Sequence, residues 1–105
     1  MRRTLTQLAA QTMLLDASKQ ETFIVNFATS VAQLRMTNIV PGQLYCFVMK
    51  QDDKGSHTLN WGSEIRNPIM FNPQPNAITV QCFIGLPNGI MQAVPPGTWN
   101  EEMTP

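Results

Sequence analysis

The chain has 105 residues, seven acidic and seven basic side chains, 13% charged residues, 43% hydrophobic residues and eight prolines. That length serves one core and one domain, and no stretch approaches the ~20 consecutive apolar residues of a membrane-spanning helix. Zero net charge removes the electrostatic reason to seek DNA, RNA or an anionic membrane; charge at about half the usual quarter of residues weakens repulsion between copies and favours meeting other protein surfaces.

Two arginines open the chain, but Thr6, Gln7, Gln11 and Thr12 interrupt the apolar run that a secretion signal needs, so none is read. Leu5 to Leu15 fits either a helix face or an alternating strand, and the all-β context favours a strand or an extended arm over residues 1–20. Phe23, Val25 and Phe27 alternate with Ile24 and Asn26, and Ala32, Leu34 and Met36 with Gln33 and Arg35, which predicts two half-buried strands. Pro41-Gly42 marks a turn, with Pro at its first central position and Gly accepting positive φ at the next. Leu44 to Met49 is apolar on both faces, which predicts a central strand covered from both sides. Asp52 to Gly55 is expected to close a hairpin onto Ser56 to Trp61. After the Pro/Asn-rich stretch 62–76, Ala77 to Gly85 places Ile78, Val80, Cys82 and Ile84 on one side and Thr79, Gln81 and Phe83 on the other. Pro87-Asn88-Gly89 turns into Ile90 to Val94, and Pro95-Pro96-Gly97 ends regular structure before an extended tail over 95–105. The expected fold is all-β: a single-domain antiparallel β-sandwich, jelly-roll-like, over residues 21–94, with extended N- and C-terminal arms.

Chemistry-bearing residues are sparse. Cys46 and Cys82 each sit inside an apolar run; a disulfide or a metal pair is one reading, and two buried thiols acting as small hydrophobes, which suits a reducing cytoplasm, is the preferred one, with the pairing left open. Asp52 and Asp53 lack the oxygen density of a calcium loop and read as turn formers. His57, the single histidine, has no Ser or Cys partner that would build a triad and reads as a packing or interface residue. The glycines lie singly at turns, so no phosphate-cradling loop exists. No catalytic, cofactor-binding or metal-binding set is expected, and no enzyme activity. Tyr45 and Trp61 are candidates for an aromatic binding platform. Trp99, in a Pro-rich tail, is a natural anchor into a neighbouring subunit, and Met103 adds adaptable apolar surface there.

The stretch Pro41-Gly42-Gln43-Leu44-Tyr45, followed by Lys50-Gln51-Asp52, Gly55-Ser56-His57-Thr58 and Trp61, resembles a β-rich module of tailed-bacteriophage structural proteins. In that module a "PGQ.Y" turn leads to a strand ending in "KQD" and then to "GS.T..W". Asp16-Ala17-Ser18, Asn38 and Asn76-Ala77 also fall at the module's spacing, and the likeness runs from Leu8 to Val94. His57 stands where the module has Arg, residues 67–71 lack its glycine pair, and Leu86-Pro87-Asn88-Gly89 replaces its Asp-Gly turn.

The resemblance implies a virion location and a β-sandwich, without a catalytic site. The expectation that follows is a capsid decoration (cement) protein, assembled in the host cytoplasm and set on the capsid surface. It would be a homotrimer partnered with the major capsid protein and copies of itself, with neither nucleic acid nor membrane. Its contact residues would be Leu5, Leu8 and Met13 in the N-terminal arm and Pro95, Pro96, Trp99 and Met103 in the tail. The alternatives are a tail- or head-fibre subunit that binds carbohydrate at the host surface, and a head–tail connector accessory protein.

Overall fold

Alternation of apolar side chains sets the whole architecture. The computed structural model describes residues 3–69 and 71–94, which form nine strands and no helix. The strands are β1 (Thr4–Leu8), β2 (Thr12–Asp16), β3 (Thr22–Phe27), β4 (Val31–Thr37), β5 (Leu44–Gln51), β6 (Leu59–Trp61), β7 (Ile65–Arg66), β8 (Ile78–Gly85) and β9 (Met91–Val94). They make a six-stranded sheet in the order β1-β3-β5-β8-β9-β7 and a three-stranded sheet in the order β2-β4-β6.

The all-β expectation holds; antiparallel pairing does not. Through β6 the chain alternates between sheets, each connection leading into the opposite sheet. Neighbours within a sheet are therefore two strands apart in sequence and run parallel: β1 with β3, β3 with β5, β2 with β4, and β4 with β6. A parallel neighbour needs a crossover, and here the crossover is a strand of the other sheet. Among the described residues only β5–β8 and β8–β9 pair antiparallel, β9 being joined to β8 through the Pro87-Asn88-Gly89 turn, with Gly89 at φ 77°.

The expected hairpin at Asp52 is absent for a local reason. Asp52 Oδ1 accepts from the backbone N–H of Lys54 (3.1 Å) and Gly55 (3.0 Å), and Gly55 and Ser56 take φ of 69° and 62°. Two successive left-handed residues swing the chain out of the sheet, and β6 pairs with β4 instead of β5. Gly55 is obligatory there, because a Cβ would stand 2.7 Å from the Pro73 carbonyl. The Pro41-Gly42 turn forms as expected, with Gly42 at φ 82° and Gln43 N–H donating to Val40 O at 3.1 Å.

The inward side chains of both sheets share one core, in which Met13, Leu15, Phe23, Phe27, Leu34, Tyr45, Phe47 and Phe83 are buried. Phe47 joins the layers: it stacks on Phe23 (centroids 4.9 Å) and meets Trp61 of the opposite sheet edge-on at 5.1 Å. Such pairs add about 0.5–1.5 kcal/mol each beyond burial. On β4 the alternation slips: the register shifts between Val31 and Leu34, Ala32 and Gln33 are both exposed, and both N–H groups donate to Gln11 O (2.8 and 3.1 Å). This extra residue turns Ala32 away from the core it was expected to join.

Residues 3–20 hold no free arm. They contain β1 and β2, each paired along its full length within a sheet. The C-terminal tail expected over 95–105 lies outside the described residues.

Candidate functional site

β8 reverses the usual rule for a half-covered strand. Thr79, Gln81, Phe83 and Gly85 point into the protein, while Ile78, Val80 and Ile84 point out and are exposed. The inward polar groups are needed, because the Pro/Asn-rich chain between β7 and β8 folds over that end of the core with backbone N–H groups to satisfy. Gln81 Oε1 accepts from Ile69 N–H (3.0 Å), and Thr79 Oγ1 accepts from Asn72 N–H (3.1 Å). Gln51 does the same from β5: its Nε2 donates to His57 O (2.9 Å) and Asn72 O (3.1 Å), and its Oε1 accepts from His57 N–H (3.2 Å). Three buried polar side chains thus hold the loops in place.

With polar groups committed inward, the alternation sends the β8 aliphatics outward, onto the face of β5 that was expected to be covered. That face is uncovered: Leu44 and Lys50 are exposed, and Cys46 and Val48 half-buried. The register sets these side chains in rows. Ile24, Val48 and Val80 stand side by side across β3, β5 and β8, Thr22, Cys46, Cys82 and Val94 form the next row, and Leu44 lies beside Ile84. Ile78 extends the apolar surface beyond Val80 at one end; Leu8 (69% exposed) stands in the same row, with Asn26 and Lys50 between them. Among the outward positions of this sheet the charges are Lys50 and Arg66, at opposite ends of the strands. A contiguous apolar face of this extent is the mark of a protein contact surface.

Cys46 and Cys82 are disulfide-bonded, which corrects the reading of two separate thiols. Their Cα atoms lie 4.0 Å apart, directly opposite on β5 and β8 with both side chains on the outer face, and such facing pairs bring sulfurs within bonding reach. The 36-residue separation concealed that register.

The expected site residues scatter. Met13 is buried in the core and Leu5 packs against it, so neither is a contact residue on this surface; Leu8 is available. Tyr45 is fully buried and its hydroxyl accepts from Val40 N–H at 3.0 Å, which removes it from any binding platform. Trp61 is half-buried, packs on Phe83 (5.2 Å), and borders a groove of about 610 Å³ with His57, Leu59, Ile69, Phe71 and Pro73. Pro95, Pro96, Trp99 and Met103 lie outside the described residues. The apolar outer face was missed as a site, although the two-faced pattern of Leu44 to Met49 signalled it.

Ionisable groups serve turns and edges. Burial pushes the Asp52 carboxyl up, but hydrogen bonds from His57 Nε2 (3.0 Å), Gly55 and Lys54 leave it below the usual carboxylate range. Asp16 is held at about 2, first by the Ser18 hydroxyl (2.6 Å), then by Ser18 N–H and the Asn38 side chain. Among the described residues no group of three or more His, Cys, Asp or Glu could hold a metal ion.

No protein-family model matches this chain, and neither a curated protein nor a solved structure matches it.

Proposed function

We propose that this chain is a non-enzymatic virion structural protein of a tailed bacteriophage, a capsid decoration protein that binds between major capsid proteins. In this reading the two sheets face one another as a β-sandwich, and the molecule works through its surfaces. The observation that carries it is the uncovered apolar face of the six-stranded sheet, on a chain with zero net charge. Burying exposed aliphatic surface yields about 25 cal/mol per Å², so such a face gains from being covered by protein. The "PGQ.Y … KQD..GS.T..W" resemblance supplies the phage assignment. Residues 95–105, with Trp99 as anchor, are a second proposed contact element, and their deletion is expected to lower occupancy on capsids.

Imaging of virions purified from cells that produce this protein tests the reading. Copies at the three-fold or quasi-three-fold positions of the capsid are the expected result, and virions lacking the protein would contradict it.

The groove beside Trp61 favours a second reading, a carbohydrate-binding fibre subunit. A half-buried indole beside His57 and Thr58 combines an apolar plate with polar neighbours. Location at a fibre tip, with glycan-array binding lost in a folded Trp61→Ala variant, would select it over decoration.

A further inference from the structure

We infer that the outer face of the six-stranded sheet is a self-association surface, and that its occupant is the same face of a second copy of this chain. The inference rests on reading that face as a protein contact surface and adds the identity of the partner.

Size is the first argument. Strands lie about 4.8 Å apart and same-face residues about 6.8 Å apart along a strand, so three outward positions on each of β1 and β3, four on each of β5 and β8 and two on β9 present roughly 500 Å². Two such faces bury about 1,000 Å² together, the threshold that separates a biological protein interface from incidental contact. The face is therefore large enough for a copy of itself.

Charge is the second argument. The outward positions of this sheet carry Lys50 and Arg66 and no acid, so the face offers nothing to pair with a partner's cations and little to repel its own copy. A two-fold axis running across the strands sets each Lys50 over the Leu44 end of the other copy. Like charges then stay roughly 14 Å or more apart, beyond the screening length at physiological salt. The same operation lays the Ile24–Val48–Val80 row of one copy against the disulfide row of the other, apolar on apolar. Such a contact is isologous, so it closes at two copies.

Sedimentation equilibrium of the full chain tests this directly. The expected result is a species of twice the 11.8-kDa chain mass, forming reversibly at concentrations up to about 200 μM. Val80→Lys, at a position already 45% exposed, is expected to weaken association by about 30-fold or more, the effect of losing a central interface contact. Ile78→Lys provides a second variant should the first fold poorly, and Leu14→Lys, on the opposite sheet, is expected to leave association unchanged. A chain that stays monomeric, a trimer, or a dimer that survives both lysines on the face would overturn the inference. Virion imaging is independent of that outcome, so loss of self-association with capsid binding retained removes the partner and keeps the decoration role.

Discussion

The two sheets bury the same kind of interior and show solvent opposite kinds of exterior. On the three-stranded sheet the rule of apolar inside and polar outside holds: Leu15, Leu34 and Met36 point in, and Gln33, Arg35, Thr37 and Asn60 are exposed. Arg35 Nε donates to Glu64 Oε1 at 3.0 Å, and Glu64 Oε2 accepts Met36 N–H at 2.6 Å, so charge and backbone are both satisfied. On the six-stranded sheet β8 inverts the rule, with Gln81 inside and Val80 outside. Folding requires Gln81 inside, because the loop leans on it, but nothing in the fold requires Ile78, Val80 and Ile84 outside. A Thr or Gln at those positions would pair equally well with β5. Outward aliphatics that the fold does not need are what a contact surface adds, and the three-stranded sheet, with Leu14 alone among its exposed large hydrophobics, lacks them.

The comparison can be broken at several depths. Phe47→Ala strikes the element common to both sheets, removing contacts to Phe23, Trp61 and Phe83. A loss of about 3–5 kcal/mol is expected, read as a lower urea midpoint, and a smaller loss would mean that the sheets do not depend on one core. Replacing both cysteines with serine opens a closure spanning 36 residues and is expected to cost about 3–4 kcal/mol. Reduction of the native chain should lower the urea midpoint by a comparable amount.

Gln81→Leu tests why β8 is inverted. If apolar burial ruled the inner face, this variant would gain stability. The expected outcome is a loss of about 1–3 kcal/mol, because Ile69 N–H is left without its acceptor. Amide exchange at Ile69 should accelerate with it. The smallest effect belongs to the polar side. Asp16 has its folded-state carboxyl lowered to about 2 from 3.8, so its contribution to stability is complete above about pH 4 and fades as pH falls towards 2. Asp16→Asn should flatten the acid limb of a urea-midpoint profile across that window, by lowering the midpoint at pH 7 and leaving it almost unmoved near pH 2.

Much of this was legible in residues whose neighbours agree with them. The strands at Phe23 to Phe27 and Leu44 to Met49, the Pro41-Gly42 turn and the Pro87-Asn88-Gly89 turn follow from period-two alternation and from glycine at positive φ. The pairing direction was not legible, because a strand reads the same whether the next one lies beside it or in the opposite sheet. That choice turns on Gly55 and Ser56 both being left-handed, and Ser is not a residue that announces such a backbone. The disulfide and the β8 inversion depend on register between segments about 36 residues apart, which periodicity within one strand does not carry. The apolar outer face was written in the sequence as a run with two apolar sides. It was assigned to burial because two-sided apolar strands are mostly central ones.

The central claim is that the outer face of the six-stranded sheet is built to be covered and that of the three-stranded sheet is not. Solvent paramagnetic relaxation of methyl groups, followed by NMR over a concentration series, tests it most directly. As the protein is concentrated, the methyls of Ile24, Val48, Ile78, Val80 and Ile84 are predicted to lose contact with a soluble spin probe while Leu14 keeps it. Equal access on both faces at every concentration, or protection of Leu14 instead, would contradict the account.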